Sequence, residues 1–369
     1  MTPKGLYIHL PYCVRKCAYC DFCSLPEGRV SDAYIDCLIK EARLYTRTDK
    51  IAVDTVYLGG GTPSLLTPKQ LDSLLSHLKQ TFDILTDAEI TMEVNPGTVS
   101  RDSLAAFRRL GINRLSIGLQ SIHDNELKIL GRIHNFDKFL EMYSCARAVG
   151  FDNISVDLMY GIPEQTEESF GLCLEKIIDL APEHISAYGL IVEEGTPFFD
   201  RRESLSLPTE DEECRMYYLA DRRLSESGYS HYEISNYARA DKESRHNLKY
   251  WRDLEYIGLG ASAYSYFEGA RFGNTRSVEE YLSGEGIRAD LCELTESDVQ
   301  YEYAMMRLRL KEGISLSDYE ARFGESFLKG REKLIADYVK AGLLTLEGDR
   351  LAFTPCGFYV SNTLLTNLL

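Results

Sequence analysis

From Leu6 to Pro208, short apolar runs alternate with stretches whose apolar residues recur three or four positions apart. That rhythm predicts strands and helices in turn around a parallel sheet. Strands are expected at 6–10, 53–59, 89–95, 114–120, 153–160 and 184–192, most of them rich in β-branched and aromatic residues. Ser31 can cap the first helix, and Thr67 followed by Pro68 places a cap and an N1 proline at the second. Leu71, Leu74, Leu75 and Leu78 then fall on one helix face. Further helices are expected at 101–110, 136–149 and 167–180. Six βα units are too few to close an eight-stranded barrel, so the α/β fold expected is an open (β/α)6 partial barrel.

Beyond Pro208 the pattern changes. Thr209-Glu-Asp-Glu212 reads as a capping box opening a helix to Glu226, followed by Gly228 and an aromatic strand at 229–237. The run His246-Asn247-Leu-Lys-Tyr250-Trp251 contains the only tryptophan of the chain. Gly258-Leu-Gly-Ala-Ser-Ala263 is a small-residue stretch that permits close approach, expected at the mouth of a cofactor site. It lacks the spacing of a dinucleotide fingerprint. After Thr295, helices are expected at 302–311, 315–322 and 327–341, then short apolar runs near 343–346 and 351–354, an order resembling a winged helix. The chain therefore divides into a core barrel (1–237), a linking region (238–294) and a C-terminal helical, winged-helix-like domain (295–369).

Cys13, Cys17 and Cys20, spaced C-x3-C-x2-C, can ligate three irons of a [4Fe–4S] cube and leave the fourth open to a small molecule. A cluster confined to electron transfer would normally be closed by a fourth cysteine. Structural zinc is the alternative, but it prefers paired C-x2–4-C halves, and no second half follows downstream. Cys23 is read as a spectator thiol. Cys37, Cys145, Cys173, Cys214, Cys292 and Cys356 are isolated and read as small buried hydrophobes.

Polar groups recur at the C-terminal ends of the expected strands: Tyr7 in the first, Gly59-Gly-Gly-Thr62-Pro after the second, Glu93 and Asn95, Gln120, and Asp157. In barrel folds such ends build one site. The triple glycine lets backbone approach a ligand where no Cβ intervenes. The bland alternative for Glu93 and Asp157 is an ion pair with Arg114 or Arg132.

With 44% hydrophobic and 27% charged residues the composition is that of an ordinary soluble protein. A net charge of −16 disfavours nucleic acid as a partner. No apolar run approaches the roughly 20 residues of a membrane span, and the start carries no export signal. A cytoplasmic protein with reduced thiols is expected.

The cysteine loop with Tyr19 before its last cysteine resembles that of the radical S-adenosylmethionine (SAM) superfamily. The ordered set Tyr7-Ile-His-Leu-Pro-Tyr-Cys13, Gly-Gly-Gly-Thr-Pro, Glu93-Val-Asn-Pro, Gly118-Leu-Gln120, Gly131-Arg132 and Asp157-Leu-Met-Tyr-Gly-Ile-Pro163 resembles the oxygen-independent coproporphyrinogen III oxidases and their relatives, the HemW heme chaperones. The resemblance implies that Cys13, Cys17 and Cys20 hold the cluster and that Gly60, Gly61, Thr62 and Glu93 lie along the methionine end of SAM. Tyr7, Gln120, Arg132 and Asp157 would line the same site. His246, Asn247, Tyr250 and Trp251 match the motif by which the chaperones are recognised as heme binders, with His246 as the expected iron ligand. Phe22 stands where the oxidases carry a further cysteine, which favours the chaperone. The partners implied are heme and heme-accepting proteins, respiratory enzymes among them, for a monomer or cluster-dependent dimer. The alternatives are radical-SAM decarboxylation of coproporphyrinogen propionates and an unrelated radical-SAM reaction.

Overall fold

The computed structural model describes residues 2–369. Its first part runs β1 (Lys4–Leu10), α1 (Asp32–Arg43), β2 (Ala52–Gly60), α2 (Pro68–Thr81), β3 (Asp83–Val94), α3 (Arg101–Leu110) and β4 (Arg114–Gln120). It continues with α4 (Asp124–Leu130), α5 (Phe136–Ala148), β5 (Ile154–Tyr160), α6 (Glu167–Leu180) and β6 (His184–Gly189). The local signals act as expected. Ser31 accepts from the Tyr34 amide, Thr67 and Gln70 close a reciprocal capping box, and Leu71, Leu74, Leu75 and Leu78 are all buried. The sixth strand ends at Gly189, short of residue 192, and the third starts six residues earlier than expected, at Asp83.

β1 to β6 pair in parallel, in sequence order. Their side chains alternate across the sheet. Leu6, Ile8, Val56, Leu58, Ile90, Met92, Leu115, Ile117, Ile154 and Val156 join the core packed around the helices. Truncating one of the leucines, isoleucines or Met92 to alanine costs about 2–5 kcal/mol. The opposite face is polar: Tyr57, Glu93, Ser116, Asp157, His184 and Ser186 line its cavity. Parallel strands usually bury apolar residues on both faces. A polar concave face marks a lumen built for something other than packing.

Next come α7 (Pro197–Asp200), α8 (Glu210–Glu226), β7 (Ser230–Glu233), β8 (Asn236–Ala238) and α9 (Arg245–Trp251). The expected single strand at 229–237 is corrected to a tight hairpin, because the chain reverses at Ile234-Ser235 and β7 pairs antiparallel with β8. β9 (Tyr256–Leu259), β10 (Tyr264–Phe267), β11 (Ala270–Gly273), α10 (Val278–Ser283) and β12 (Cys292–Glu293) follow. β9 adds in parallel to the free side of β1, while β8 adds antiparallel to β6. The result is one sheet in the order β12-β11-β10-β9-β1-β2-β3-β4-β5-β6-β8-β7, open at both ends. The expected linking region thus supplies four strands of the main sheet, together with α9.

The C-terminal part is α11 (Glu296–Arg307), β13 (Ile314–Ser315), α12 (Leu316–Phe323), α13 (Glu332–Lys340), β14 (Leu344–Glu347), β15 (Arg350–Phe353), α14 (Pro355–Tyr359) and α15 (Ser361–Leu368). Its three strands form a separate sheet, β13-β15-β14. Helix, strand, two helices and a two-stranded wing is the winged-helix order. Thr295 caps α11 through a box with Asp298, so that helix starts six residues before the apolar pattern indicated.

Candidate functional site

The cysteine loop leaves β1 directly beside the triple glycine, since Leu10 pairs with Gly60. The Cys13 amide donates to the Leu25 carbonyl at 2.8 Å, which closes the loop at its base. The far side is pinned where the Ala18 amide donates to Leu130 (3.0 Å) and the Ala18 carbonyl accepts from Phe198 (2.9 Å). Cys13, Cys17 and Cys20 all face a cavity of about 350 Å³ at the C-terminal strand ends, a size typical of small-molecule sites.

Polar groups tie the loop to the strand ends. The Thr62 hydroxyl donates to Cys13 Sγ (3.4 Å) and accepts from Asn95 Nδ2 (2.9 Å). Asn95 Oδ1 accepts from the Arg132 guanidinium (2.6 Å), which also donates to the Gly118 carbonyl (2.5 Å) and reaches Cys17 Sγ (3.6 Å). Two of the three sulfurs therefore carry a donor. Burial pushes the Cys20 thiol up to about 11, and a metal ion reverses that preference by deprotonating its thiol ligands. Among the described residues no three His, Cys, Asp or Glu side chains converge as a single-ion site. Sulfur donors on one open loop, hydrogen-bonded at two positions, suit a cube whose corners stand apart, and they fit a [4Fe–4S] cluster.

Gly60 and Gly61 line the cavity, and the protein's own packing also requires them. A Cβ at Gly60, where φ is +108°, would lie 2.6 Å from the His9 ring. One at Gly61 would lie 2.7 Å from the Tyr12 carbonyl. Glu93 accepts from the Gly60 amide (3.0 Å) and the Tyr57 hydroxyl (2.9 Å). Burial, with Asp157 nearby, raises its carboxyl to about 7. Gln120 sits at φ 73° on a bulge that ends β4, a conformation that turns it into the cavity. Glu93 and Asp157 make no ion pair with Arg114 or Arg132 among the described residues.

Asp157 lines the cavity, but its carboxylate already accepts from Ser186 (2.9 Å) and Ser116 (3.1 Å). Tyr7 stacks on Tyr57 at the edge of the site and borders an aromatic cleft with Tyr250 and Tyr256; its hydroxyl bonds His9 Nδ1 (3.0 Å), whose Nε2 in turn bonds the Cys23 carbonyl of the loop (2.9 Å). The small residues 258–263 do not line the cysteine cavity. Gly260 and Ala261 donate instead to Glu41 (2.8 Å) and the Tyr34 hydroxyl (2.9 Å) beneath α1. Cys23 Sγ lies 3.0 Å from the Arg276 carbonyl, outside the cavity. Of the isolated cysteines only Cys173 is fully buried, and Cys292 and Cys356 are exposed.

α9 lies against the inner face of the first strands. The Glu89 carboxylate accepts from the Arg245 and His246 amides (3.2 and 3.1 Å), fixing the helix N-terminus. His246 is 1% exposed. Its Nδ1 is bonded to the Thr55 hydroxyl (2.9 Å) and its Nε2 to the Tyr250 hydroxyl (2.8 Å), while Tyr57 stacks on its ring. Burial holds its pKa down to about 3. A neutral imidazole with both nitrogens hydrogen-bonded braces α9, and His246 borders neither the cysteine cavity nor the one described next. Asn247, Tyr250 and Trp251 instead wall a second cavity of about 550 Å³, between the ends of β5 and β6 and the C-terminal part. Asn247 and Tyr188 border both cavities. The sequence reading missed Tyr57, Tyr188 and the residues of the second cavity. Tyr57 and Tyr188 were discoverable as inward positions of β2 and β6.

An open parallel barrel carrying a three-cysteine loop at its C-terminal mouth defines a radical SAM protein, and the Radical SAM superfamily model matches residues 7–177. The HemN C-terminal domain model matches 294–360. The chain is 35% identical to "Heme chaperone HemW" of Lactococcus lactis, covering 100% of this chain and 97% of that one. It is also 35% identical to that of Escherichia coli K12, covering 99% and 98%. The fold matches E. coli coproporphyrinogen III oxidase (HemN) with a TM-score of 0.86 at 24% identity, over 99% of this chain and 90% of that one. The chain belongs to the HemW heme chaperone family.

Proposed function

We propose that this protein is a cytoplasmic heme chaperone: it binds heme beside the Asn247–Trp251 helix and passes it to acceptor proteins. The observation that carries this reading is the second cavity, whose volume of about 550 Å³ and aromatic walls, including Trp251 and Tyr359, suit a flat, largely apolar ring. Cys13, Cys17 and Cys20 would hold the [4Fe–4S] cluster that radical SAM membership implies. When bound, such a cluster supplies an open iron for the amino acid end of SAM and a source of one electron. Around it the chain's own residues bind and orient. Glu93 holds the Gly60 amide in place, Thr62 and Arg132 donate toward the sulfurs, and Asn95 joins the two. Tyr57 and His246 stack beneath Glu93 and fix the floor.

Phe22, exposed on the loop, occupies the place of the oxidases' additional cysteine. Anaerobically reconstituted protein should bind hemin near one per chain and show no coproporphyrinogen decarboxylation when given SAM and reductant. Conversion of coproporphyrinogen III to protoporphyrinogen IX would overturn the chaperone reading in favour of the oxidase.

A further inference from the structure

The second cavity gathers polar atoms that the protein leaves unmatched. Glu233, at the end of β7, is 0% exposed, and neither carboxylate oxygen has a hydrogen-bond partner. Asn236 Oδ1 and the Tyr217 hydroxyl, both on the same cavity, are likewise buried and unpartnered. The Asn236 side-chain amide, the Ser235 amide, the Trp251 indole and the Arg309 guanidinium all lie near the carboxylate and favour its charge, though none meets hydrogen-bond geometry among the described residues. One Arg309 nitrogen donates to Asn362 Oδ1 at 3.1 Å, and the guanidinium makes no ion pair with Glu233 within 4 Å among the described residues. Burial raises the Glu233 carboxyl to about 7, so it exchanges its proton near neutral pH.

Buried polar groups are almost always paired, and each exception needs a reason. Here one cavity concentrates acceptors: two carboxylate oxygens and an amide oxygen, ringed by Tyr160, Tyr188, Trp251 and Tyr359. Such a lining calls for a flat apolar body with a positive or proton-donating centre. A tetrapyrrole has that form, its centre being a metal ion or pyrrole N–H groups. The motif histidine does not border this cavity, and both its nitrogens are hydrogen-bonded elsewhere.

We propose that Glu233, rather than His246, is the side chain that meets the centre of a tetrapyrrole ring in this cavity. This rests on the heme-binding reading above and names the group that makes the contact. With ferric heme, a carboxylate lone pair forms the Fe–O bond. The water that iron carried leaves, any proton on the carboxyl passes to solvent, and no electron is exchanged. With a metal-free ring, the carboxylate accepts a pyrrole N–H.

Trp251 gives a direct probe, because it is the only tryptophan in the chain and borders the cavity. Full-length, cluster-reconstituted wild type, E233Q and H246Q would be titrated with hemin and, separately, with protoporphyrin IX, following Trp251 quenching and the Soret band. Hemin should quench Trp251 at one per chain in the wild type. E233Q should weaken hemin at least tenfold and move its Soret and charge-transfer bands. H246Q should keep the wild-type band positions. Loss of hemin affinity alone assigns the contact to iron; loss of protoporphyrin IX affinity, alone or as well, assigns it to the pyrrole N–H. Unchanged iron content and melting temperature in E233Q exclude misfolding as the cause, since glutamine keeps the shape while removing the charge and exchanging one acceptor oxygen for an amide donor. E233Q with wild-type affinity and spectra for both rings would overturn the assignment while leaving heme binding intact, as would H246Q that still binds hemin but with shifted Soret and charge-transfer bands. Failure of the wild type to bind hemin would instead overturn the heme reading itself.

Discussion

Glu233 makes a measurable demand on the ligand-free protein. Its carboxyl titrates near 4.5 in an unfolded chain and at about 7 in place, because burial disfavours the charge. A raised acid binds more protons folded than unfolded, so stability is highest below the unfolded value, falls as pH climbs toward 7, and levels off above it. Linkage puts the penalty at about 1.4 kcal/mol at pH 5.5 and about 3 kcal/mol at pH 8, a loss of about 2 kcal/mol across that window. Glu233→Gln deletes the titration and keeps the volume. Urea midpoints of wild type and variant, measured anaerobically without heme at both pH values, should therefore differ in pH dependence. The wild type should lose about 2 kcal/mol more than Glu233→Gln between pH 5.5 and 8. The comparison cancels groups common to both proteins, nearby His231 among them. Parallel pH profiles would refute the reasoning, because they would mean the carboxylate finds a partner or water in place.

Other expectations follow from the same geometry. Cys13→Ala, Cys17→Ala or Cys20→Ala should each abolish the four-iron content of the reconstituted protein, whereas Cys23→Ala should leave it; iron and sulfide analysis decides. Glu93→Ala frees the Gly60 amide and Tyr57 hydroxyl and should weaken SAM binding by ~1.5–3 kcal/mol, or roughly ten- to hundredfold, and equal affinities by calorimetry would remove Glu93 from the site. Thr55→Val strands the buried His246 Nδ1 and should cost about 1–3 kcal/mol of stability by urea unfolding, with an unchanged midpoint contradicting the bracing role of the histidine.

The sequence revealed whatever is decided locally. Ser31, Thr67 and Thr209 start their helices because a side-chain oxygen can reach an amide three residues on, and that needs no knowledge of the rest of the chain. The strand ends carrying Gly60, Glu93, Gln120 and Asp157 were legible for a similar reason, since each lies where an apolar run stops. Long-range pairing was not legible. Nothing in residues 236–293 says that β9 will lie beside β1 while β8 lies beside β6. His246 illustrates the limit at a single residue: its motif was visible, but Thr55, Glu89 and Tyr57, which decide where its nitrogens point, come from strands far upstream. Glu233, Asn236 and Tyr217 gave no motif at all, because a hairpin, a helix and the C-terminal part bring them together only in three dimensions.

The two cavities share Asn247 and Tyr188 as a common wall. A partition this thin makes each chamber a gauge of the other. A guest that displaces either side chain alters the shape its neighbour's guest must fit, and thermodynamics makes the effect mutual: whatever factor SAM imposes on heme affinity, heme imposes on SAM. On the proposed reading, with SAM in one chamber and heme in the other, loading and unloading of the porphyrin would answer to the cysteine side through one asparagine and one tyrosine, with no contact needed between the guests.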